Sequence, residues 1–294
     1  MAVYKRSYKV YDGPLTPSGS RFLVLSRYSI APLFESRLFT GFTVVCLLPL
    51  LIGAIVIYFI HSATAQLLVG ANLKGGDIVN NIWFWVFLQI EGFLAFVMTL
   101  WAVPGIMIRD IANHALQLYL SRPLSRTEYL LGKISGVVLL LSAITWVPGL
   151  LLFGLQAQLQ GNGWGSEHLW LLGSIFLAGM IWISFLTLLA MALSVWVKWR
   201  LAASGLMLAV FMVLPALGGT INAILHTRSG LLLNISYVMA LIWTHLFRLP
   251  AAFVRNFDYA GVPLWSAWAS VLSMCLICLV LLNRRLQARE VERR

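Results

Sequence analysis

The chain has 294 residues, of which 60% are hydrophobic and only 11% charged, with a mean hydropathy of +0.87 and a formal net charge of +11. Soluble domains run near half apolar and a quarter charged, so this composition excludes an ordinary soluble domain and belongs to the membrane class. The positive charge does not mark a nucleic-acid partner, because the basic residues stand at the ends of apolar runs, where they set topology.

Residues 1–37 read as a cytoplasmic leader with an interfacial helix. They are mixed in character and contain no signal-peptide apolar core. The stretch YDGPLTPSG at 11–19 is rich in Gly and Pro and predicts an extended, surface-bound leader. Ser20 can cap a short helix with Phe22, Leu25 and Tyr28 on one side and Arg21 and Arg27 elsewhere, lying on the inner surface. Pro32 is expected to interrupt that helix before the first span.

A spanning helix needs ~20 mostly apolar residues. Six runs qualify, at about 38–60, 82–108, 134–156, 169–197, 201–223 and 262–283. Lipid offers the backbone no hydrogen-bond partner, so runs of this length cross as α-helices. The expected fold is an all-α polytopic membrane protein, with a six-helix transmembrane domain over 38–283 and a basic cytoplasmic tail over 284–294. Lysines and arginines set its direction. Lys5, Arg6, Lys9, Arg21, Arg27, Arg37, Arg109, Arg122, Arg126, Lys133, Lys198, Arg200, Arg284, Arg285, Arg289, Arg293 and Arg294 fall on one side. Only Lys74, Arg228, Arg248 and Arg255 fall on the other. The positive-inside rule therefore predicts both termini and the 109–133 segment in the cytoplasm.

Within the second span stands Glu91, an acidic residue deep in an apolar run. A charge at a helix centre is costly, so its side chain should face protein or water, or be protonated. It reads either as a lining residue of a transport path or proton-linked site, or as an interhelical hydrogen-bonding group helped by Gln89 that reaches toward the outer interface.

Residues 109–133, RDIANHALQLYLSRPLSRTEYLLGK, are too polar to cross a bilayer yet patterned for helices. Ile111, Ala115 and Leu118 recur at helical spacing while Asn113, His114 and Gln117 face away, which predicts a short amphipathic helix running on from the second span. Pro123 disfavours helical geometry at Arg122 and ends it. Ser125-Arg126-Thr127-Glu128 then matches a capping box, in which the Ser125 hydroxyl accepts from the Glu128 N–H and the Glu128 side chain reaches back. A new helix starts there and becomes the third span past Lys133. Break and restart make a stiff elbow able to carry force from a docked partner to two membrane helices. An ordinary interfacial loop with snorkelling basic side chains fits the same residues.

Pro104, Pro148 and Pro215 lie within or near span ends and should kink them. Trp83, Trp85, Trp164, Trp170, Trp265 and Trp268 fall near the outer ends, and Trp196 and Trp199 near the inner end, as an aromatic belt would. Residues 224–261 are expected to form an outer interfacial segment. In it Leu231, Ile235, Val238, Ile242, Leu246 and Leu249 repeat at helical spacing, with Asn234, Tyr237, His245 and Arg248 on another face. That pattern predicts a helix lying flat on the surface, or a shallow re-entrant hairpin. Cys46, Cys275 and Cys278 fall inside spans and read as packing residues, not as a disulfide framework or zinc site. His114, His226 and His245 each lack a second ligand nearby in sequence. There is no GxxxxGK[ST], HExxH or GxSxG pattern, so neither catalytic residues nor a cofactor or metal site is expected in this chain.

The segment SRPLSRTEYLLGK resembles the hallmark P-x-S-R-x-E/D-y-x-x-G-K stretch of ABC type-2 exporter permeases, through Arg122, Pro123, Ser125, Arg126, Glu128, Tyr129, Gly132 and Lys133. The order of parts is similar along nearly the whole chain. Upstream, this sequence has Asp110 in IRDIANHALQLYL where many relatives carry Glu followed by a Gly-Thr-Leu run. The resemblance implies a multi-pass subunit of a bacterial plasma membrane, paired with a second permease subunit, the same or related. It also implies two cytoplasmic ATPase subunits, which bring ATP and Mg and dock on Asp110, His114, Gln117, Arg122, Pro123, Ser125, Arg126, Glu128, Tyr129 and Lys133. A force-transmitting module of the same kind that moves no substrate, and a stand-alone channel or carrier, are the alternatives.

Overall fold

Apolar runs of this length fold as helices because each backbone N–H and C=O then finds its partner within the segment. The computed structural model describes residues 21–62, 78–112, 126–161, 163–250, 253–254 and 262–291. It holds six helices long and apolar enough to span a membrane, Arg37–His61, Asn81–Ile108, Thr127–Gln160, Leu169–Trp196, Arg200–Leu225 and Leu264–Arg285. They match the six expected runs in number and order. No strand occurs among the described residues.

In chain order, α1 (Arg21–Phe34) precedes a first span made of α2 (Arg37–Cys46) and α3 (Leu48–His61). The second span is α4 (Asn81–Ala112), and the third is α5 (Arg126–Ile144) followed by α6 (Trp146–Gln160). A single turn, α7 (Trp164–Glu167), leads to α8 (Leu169–Trp196), the fourth span, and α9 (Arg200–Leu225) is the fifth. A 3-10 turn (Ser229–Leu233) and α10 (Ile235–Leu246) come before the last span, α11 (Leu264–Val291).

Local chemistry sets several of these boundaries. Asn80 Oδ1 accepts from the N–H groups of Ile82 and Trp83 at 3.0 and 3.2 Å and so caps α4. Gly161 and Gly163, with φ of 60° and 76°, let the chain reverse between α6 and α7. Pro148 falls at the third residue of α6, where its ring and missing N–H break the third span at Thr145. Pro49, the second residue of α3, breaks the first span at Leu47 in the same way.

Pro104 and Pro215 instead lie inside the continuous helices α4 and α9. Pro104 has no N–H to offer the Leu100 carbonyl one turn back. Ser204 Oγ, from α9, donates to that carbonyl at 2.7 Å, and Arg200 Nη2 donates to the neighbouring Trp101 carbonyl at 2.7 Å. The fifth span thus satisfies what the proline releases in the second.

The fourth span is the centre of the bundle, with 67% of its most apolar window buried against 17% for the fifth. Small residues permit that packing: a Cβ on Gly179 would lie 2.8 Å from Trp146 Cβ, and one on Gly149 would lie 2.8 Å from Ile175 Cγ2. The first, fifth and sixth spans keep exposed apolar faces, including Ile52, Ile55, Met212, Val213, Leu272 and Leu276.

Three expectations change. In α1 the buried face is Leu25, Ser26 and Ser29, while Tyr28 is exposed, because the helix turns small polar residues toward α5. Pro32 sits inside the last turn of α1, yet the helix runs on to Phe34. Of the expected aromatic belt, Trp196, Trp199 and Trp265 are exposed, but Trp85 is buried against Phe253 at 5.3 Å between ring centroids.

The segment expected to lie flat is enclosed. Ile235, Val238, Met239, Ala240, Leu241, Ile242, Trp243 and Thr244 are all buried, so α10 has no single apolar face. Gly218, seven residues before the end of α9, meets the backbone of Gly230. Ser270 Oγ, six residues into α11, donates to Leu232 O at 2.8 Å. At 1.5 Å per residue the 3-10 turn therefore lies about 10 Å down the bundle from the ends of these spans. Asn81 Nδ2, at the start of α4, then donates to Phe247 O and Arg248 O at 2.8 and 3.1 Å, which returns the chain to the same end. These contacts tuck the segment in among α4, α9 and α11.

Candidate functional site

At the other end of the bundle, α4 finishes and α5 begins within the 109–133 segment. Tyr129 and Lys133 are four residues apart and share one face of α5. Both turn inward to Asp110, in the last turns of α4. Asp110 Oδ2 accepts from Lys133 Nζ at 2.8 Å and from Tyr129 Oη at 2.8 Å. The Lys133 and Asp110 side chains are 5% and 15% exposed, and Lys133 Nζ lies 5.9 Å from the centroid of the Tyr129 ring. A carboxylate removed from water needs this much compensation: one ion pair and one hydroxyl donor on the same oxygen.

The next turn of α5 receives α1. Ser26 Oγ donates to Gly132 O at 2.9 Å and lies 2.6 Å from Ser135 Oγ. Gly136 makes this approach possible, since a Cβ there would stand 3.1 Å from the Ser26 carbonyl oxygen. Ser29 turns back on its own helix, donating to Leu25 O at 2.7 Å. A small cavity of about 70 Å³ remains where α1, α4 and α5 meet, lined by Tyr28, Ser29, Pro32, Leu33, Gly105, Ile106, Asp110 and Lys133. The arrangement forms a three-way joint. It binds the ends of the second and third spans and the preceding helix into one unit.

Of the residues expected at the docking surface, Tyr129 and Lys133 are buried and Asp110 is largely enclosed by them, so these three hold the adjoining ends of α4 and α5 together. Glu128 is half-buried beside the exposed Thr127. α5 starts at Arg126, next to the residue expected to cap it. His114, Gln117, Arg122, Pro123 and Ser125 lie outside the described residues, as does the side chain of Arg126.

No protein-family model matches the chain, and no curated protein is similar to it. Among the described residues, no three His, Cys, Asp or Glu side chains converge as a metal site requires.

Glu91 is 0% exposed, and neither carboxyl oxygen has a hydrogen-bond partner. It lies about 15 Å along α4 from Asn81. The expectation of an interhelical hydrogen bond assisted by Gln89, and of reach to the interface, does not hold. Gln89 points around the helix into a cleft of about 270 Å³ formed with Gly92, Phe96, Trp182, Phe211, Ser236 and Trp243, and Glu91 does not line it. Trp182 Nε1 donates to Gly92 O at 2.8 Å and forms one wall of that cleft. Cys46 and Cys278 are buried free thiols in the bundle and Cys275 is half-buried, while His226 and His245 are exposed.

The joint, the contact from Arg200 to the Pro104 kink and the enclosed α10 were missed in the sequence. One signal was available for the joint: an acid in the last turns of one span and a lysine in the first turns of the next.

Proposed function

We propose that this chain is the membrane-spanning permease subunit of an ATP-driven exporter of the ABC type-2 class, in a bacterial plasma membrane with both termini cytoplasmic. The resemblance of residues 122–133 to that family's hallmark segment carries the reading. The joint of Asp110, Tyr129 and Lys133 supports it, because a push on the intervening elbow reaches the second and third spans through one rigid root. The chain itself hydrolyses nothing; two cytoplasmic ATPase subunits, holding ATP and Mg, supply the energy. His114, Gln117, Arg122, Arg126 and Glu128 make the polar contacts to them, with Pro123 and Ser125 shaping the turn. Two permease subunits pair through exposed apolar spans, and tilting of the second and third spans opens a path between them.

Purification from native membranes in mild detergent should recover the chain with an ATPase subunit, and Arg126→Glu and Glu128→Arg should each release it. Recovery without an ATPase, or undiminished association in both variants, overturns the reading.

A further inference from the structure

The cleft of about 270 Å³ that Gln89 enters is built from α4, α8, α9 and α10, and its walls are aromatic. Trp182 of α8 stands at 78° to Trp243 of α10, with ring centroids 6.2 Å apart, and at 87° to Phe211 of α9, at 6.1 Å. Phe96 of α4 completes the box, 4.6 Å from Phe211. The bond from Trp182 Nε1 to Gly92 O, at 2.8 Å, holds the shared wall in place. Gly92 is what admits both indoles: a Cβ there would lie 3.0 Å from Trp243 Cη2 and 3.3 Å from Trp182 Nε1. Phe93 and Met212, 64% and 70% exposed, stand at the open side. Walls fixed in this way lose little freedom when the cleft is filled.

Two polar groups share this lining, the Gln89 amide and the Ser236 hydroxyl. Gln89 lies about 12 Å along α4 from Asn81, and Phe211 about 17 Å along α9 from Arg200, so the cleft is far from either end of these spans. At that depth lipid gives an amide no hydrogen-bond partner, whereas an occupant can. Ring faces also attract cations, but the penalty for a charge in mid-span exceeds that attraction. Among the described residues no charged side chain lines the cleft, so nothing there offsets a charge of either sign. The volume sits just below the ~300 Å³ at which small-molecule sites begin, which suits one compact ring system and not a two-chain lipid. We propose that this cleft binds one uncharged, flat aromatic molecule carrying a hydrogen-bonding group. Its rings lie against Trp182, Phe211 and Phe96, and its polar edge meets Gln89 and Ser236. The inference rests on the packing of α10 among the spans and is independent of the exporter reading, since binding to the chain alone tests it with no ATPase present.

The test is equilibrium dialysis of probes that share one tricyclic frame. Acridone is uncharged and carries an N–H and a C=O, anthracene carries neither, and 10-methylacridinium is a cation. Each is measured with the purified chain in micelles, with empty micelles as the blank. Acridone should bind saturably, and anthracene and 10-methylacridinium should each bind at least about fivefold more weakly. Gln89→Leu should weaken acridone by about fivefold and leave anthracene unchanged, as loss of a hydrogen bond requires. Met212→Trp keeps both polar groups but narrows the mouth, and should weaken acridone and anthracene alike. Should Gln89→Leu not fold, Met212→Trp and Ser236→Ala, both at exposed positions, decide the matter, the second by weakening acridone alone. Anthracene or 10-methylacridinium binding as tightly as acridone, undiminished acridone binding in the variants, or no uptake beyond empty micelles overturns the inference.

Discussion

Replacing Lys133 by Met keeps the length of the side chain and removes its charge, leaving Asp110 enclosed with only the Tyr129 hydroxyl. At the observed 2.8 Å the attraction between the two charges is about 6 kcal/mol at an effective dielectric of 20. Desolvation of both groups offsets part of that. The loss on removing one partner of a buried pair is about 3–5 kcal/mol, and the residual exposure of Asp110 places this case near the lower end. Asp110→Asn should cost a similar amount, because it leaves an ammonium unpaired at 5% exposure. The Asp110→Asn, Lys133→Met double variant buries neither charge, so it should be more stable than either single variant. Reversible unfolding in mixed micelles with rising denaturing detergent, followed by tryptophan fluorescence, measures all four proteins. Losses that simply add, or a single variant within about 0.5 kcal/mol of the parent, would refute the joint as a buried, coupled pair.

The second prediction concerns the proline released by its neighbour. Ser204→Ala should cost about 1–2 kcal/mol by leaving the Leu100 carbonyl without its donor, yet cost little in a Pro104→Ala background, where residue 104 regains an N–H; equal losses in the two backgrounds would remove the link. The third concerns close backbone approach: Gly218→Val, driven against the Gly230 carbonyl, should destabilise by about 1–3 kcal/mol or more, as judged by thermal melting. Gly219→Ala, with nothing within 4 Å of its Cβ, should melt like the parent. An unchanged melt in Gly218→Val would count against the packed segment.

The six spans could be read from the sequence because length and apolarity are local properties, and the break at Pro148 followed from the residue itself. Pro49 breaks the first span in the same way, but it lies in the middle of the continuous apolar run 38–60, which read as one unbroken helix. The α10 region misled for a different reason. Its polar residues were read as a face, but Asn234 is the N-cap, accepting from the Tyr237 N–H at 3.1 Å, and Arg248 follows the helix in left-handed backbone at φ 49°. Polar residues at the two ends of a short helix mimic an amphipathic stripe. The joint was hidden by its own motif: Tyr129 and Lys133 sit among charged neighbours and look like surface, and only the packing of α1 and α4 on α5 shows that their face of the helix is closed. Ser26 and Gly132 are 106 positions apart, beyond any periodic signal.

Several of the polar contacts that join different helices fall where a backbone is broken or a charge must be neutralised. Ser204 and Arg200 serve the kink at Pro104, Asn81 serves the end of α10, and Ser270 serves the 3-10 turn. Asp110, Lys133 and Tyr129 serve one another. In lipid an unpaired carbonyl or carboxylate has no water to fall back on, so each contact fixes a position that apolar packing alone would let slide. The consequence is a division within the bundle: the second span is pinned to α9 at its proline and to α5 at its end, while Glu91, nine residues before Leu100 on the same helix, has no hydrogen-bond partner. The second span is therefore tied to the fifth as well as to the third, through Arg200 and Ser204.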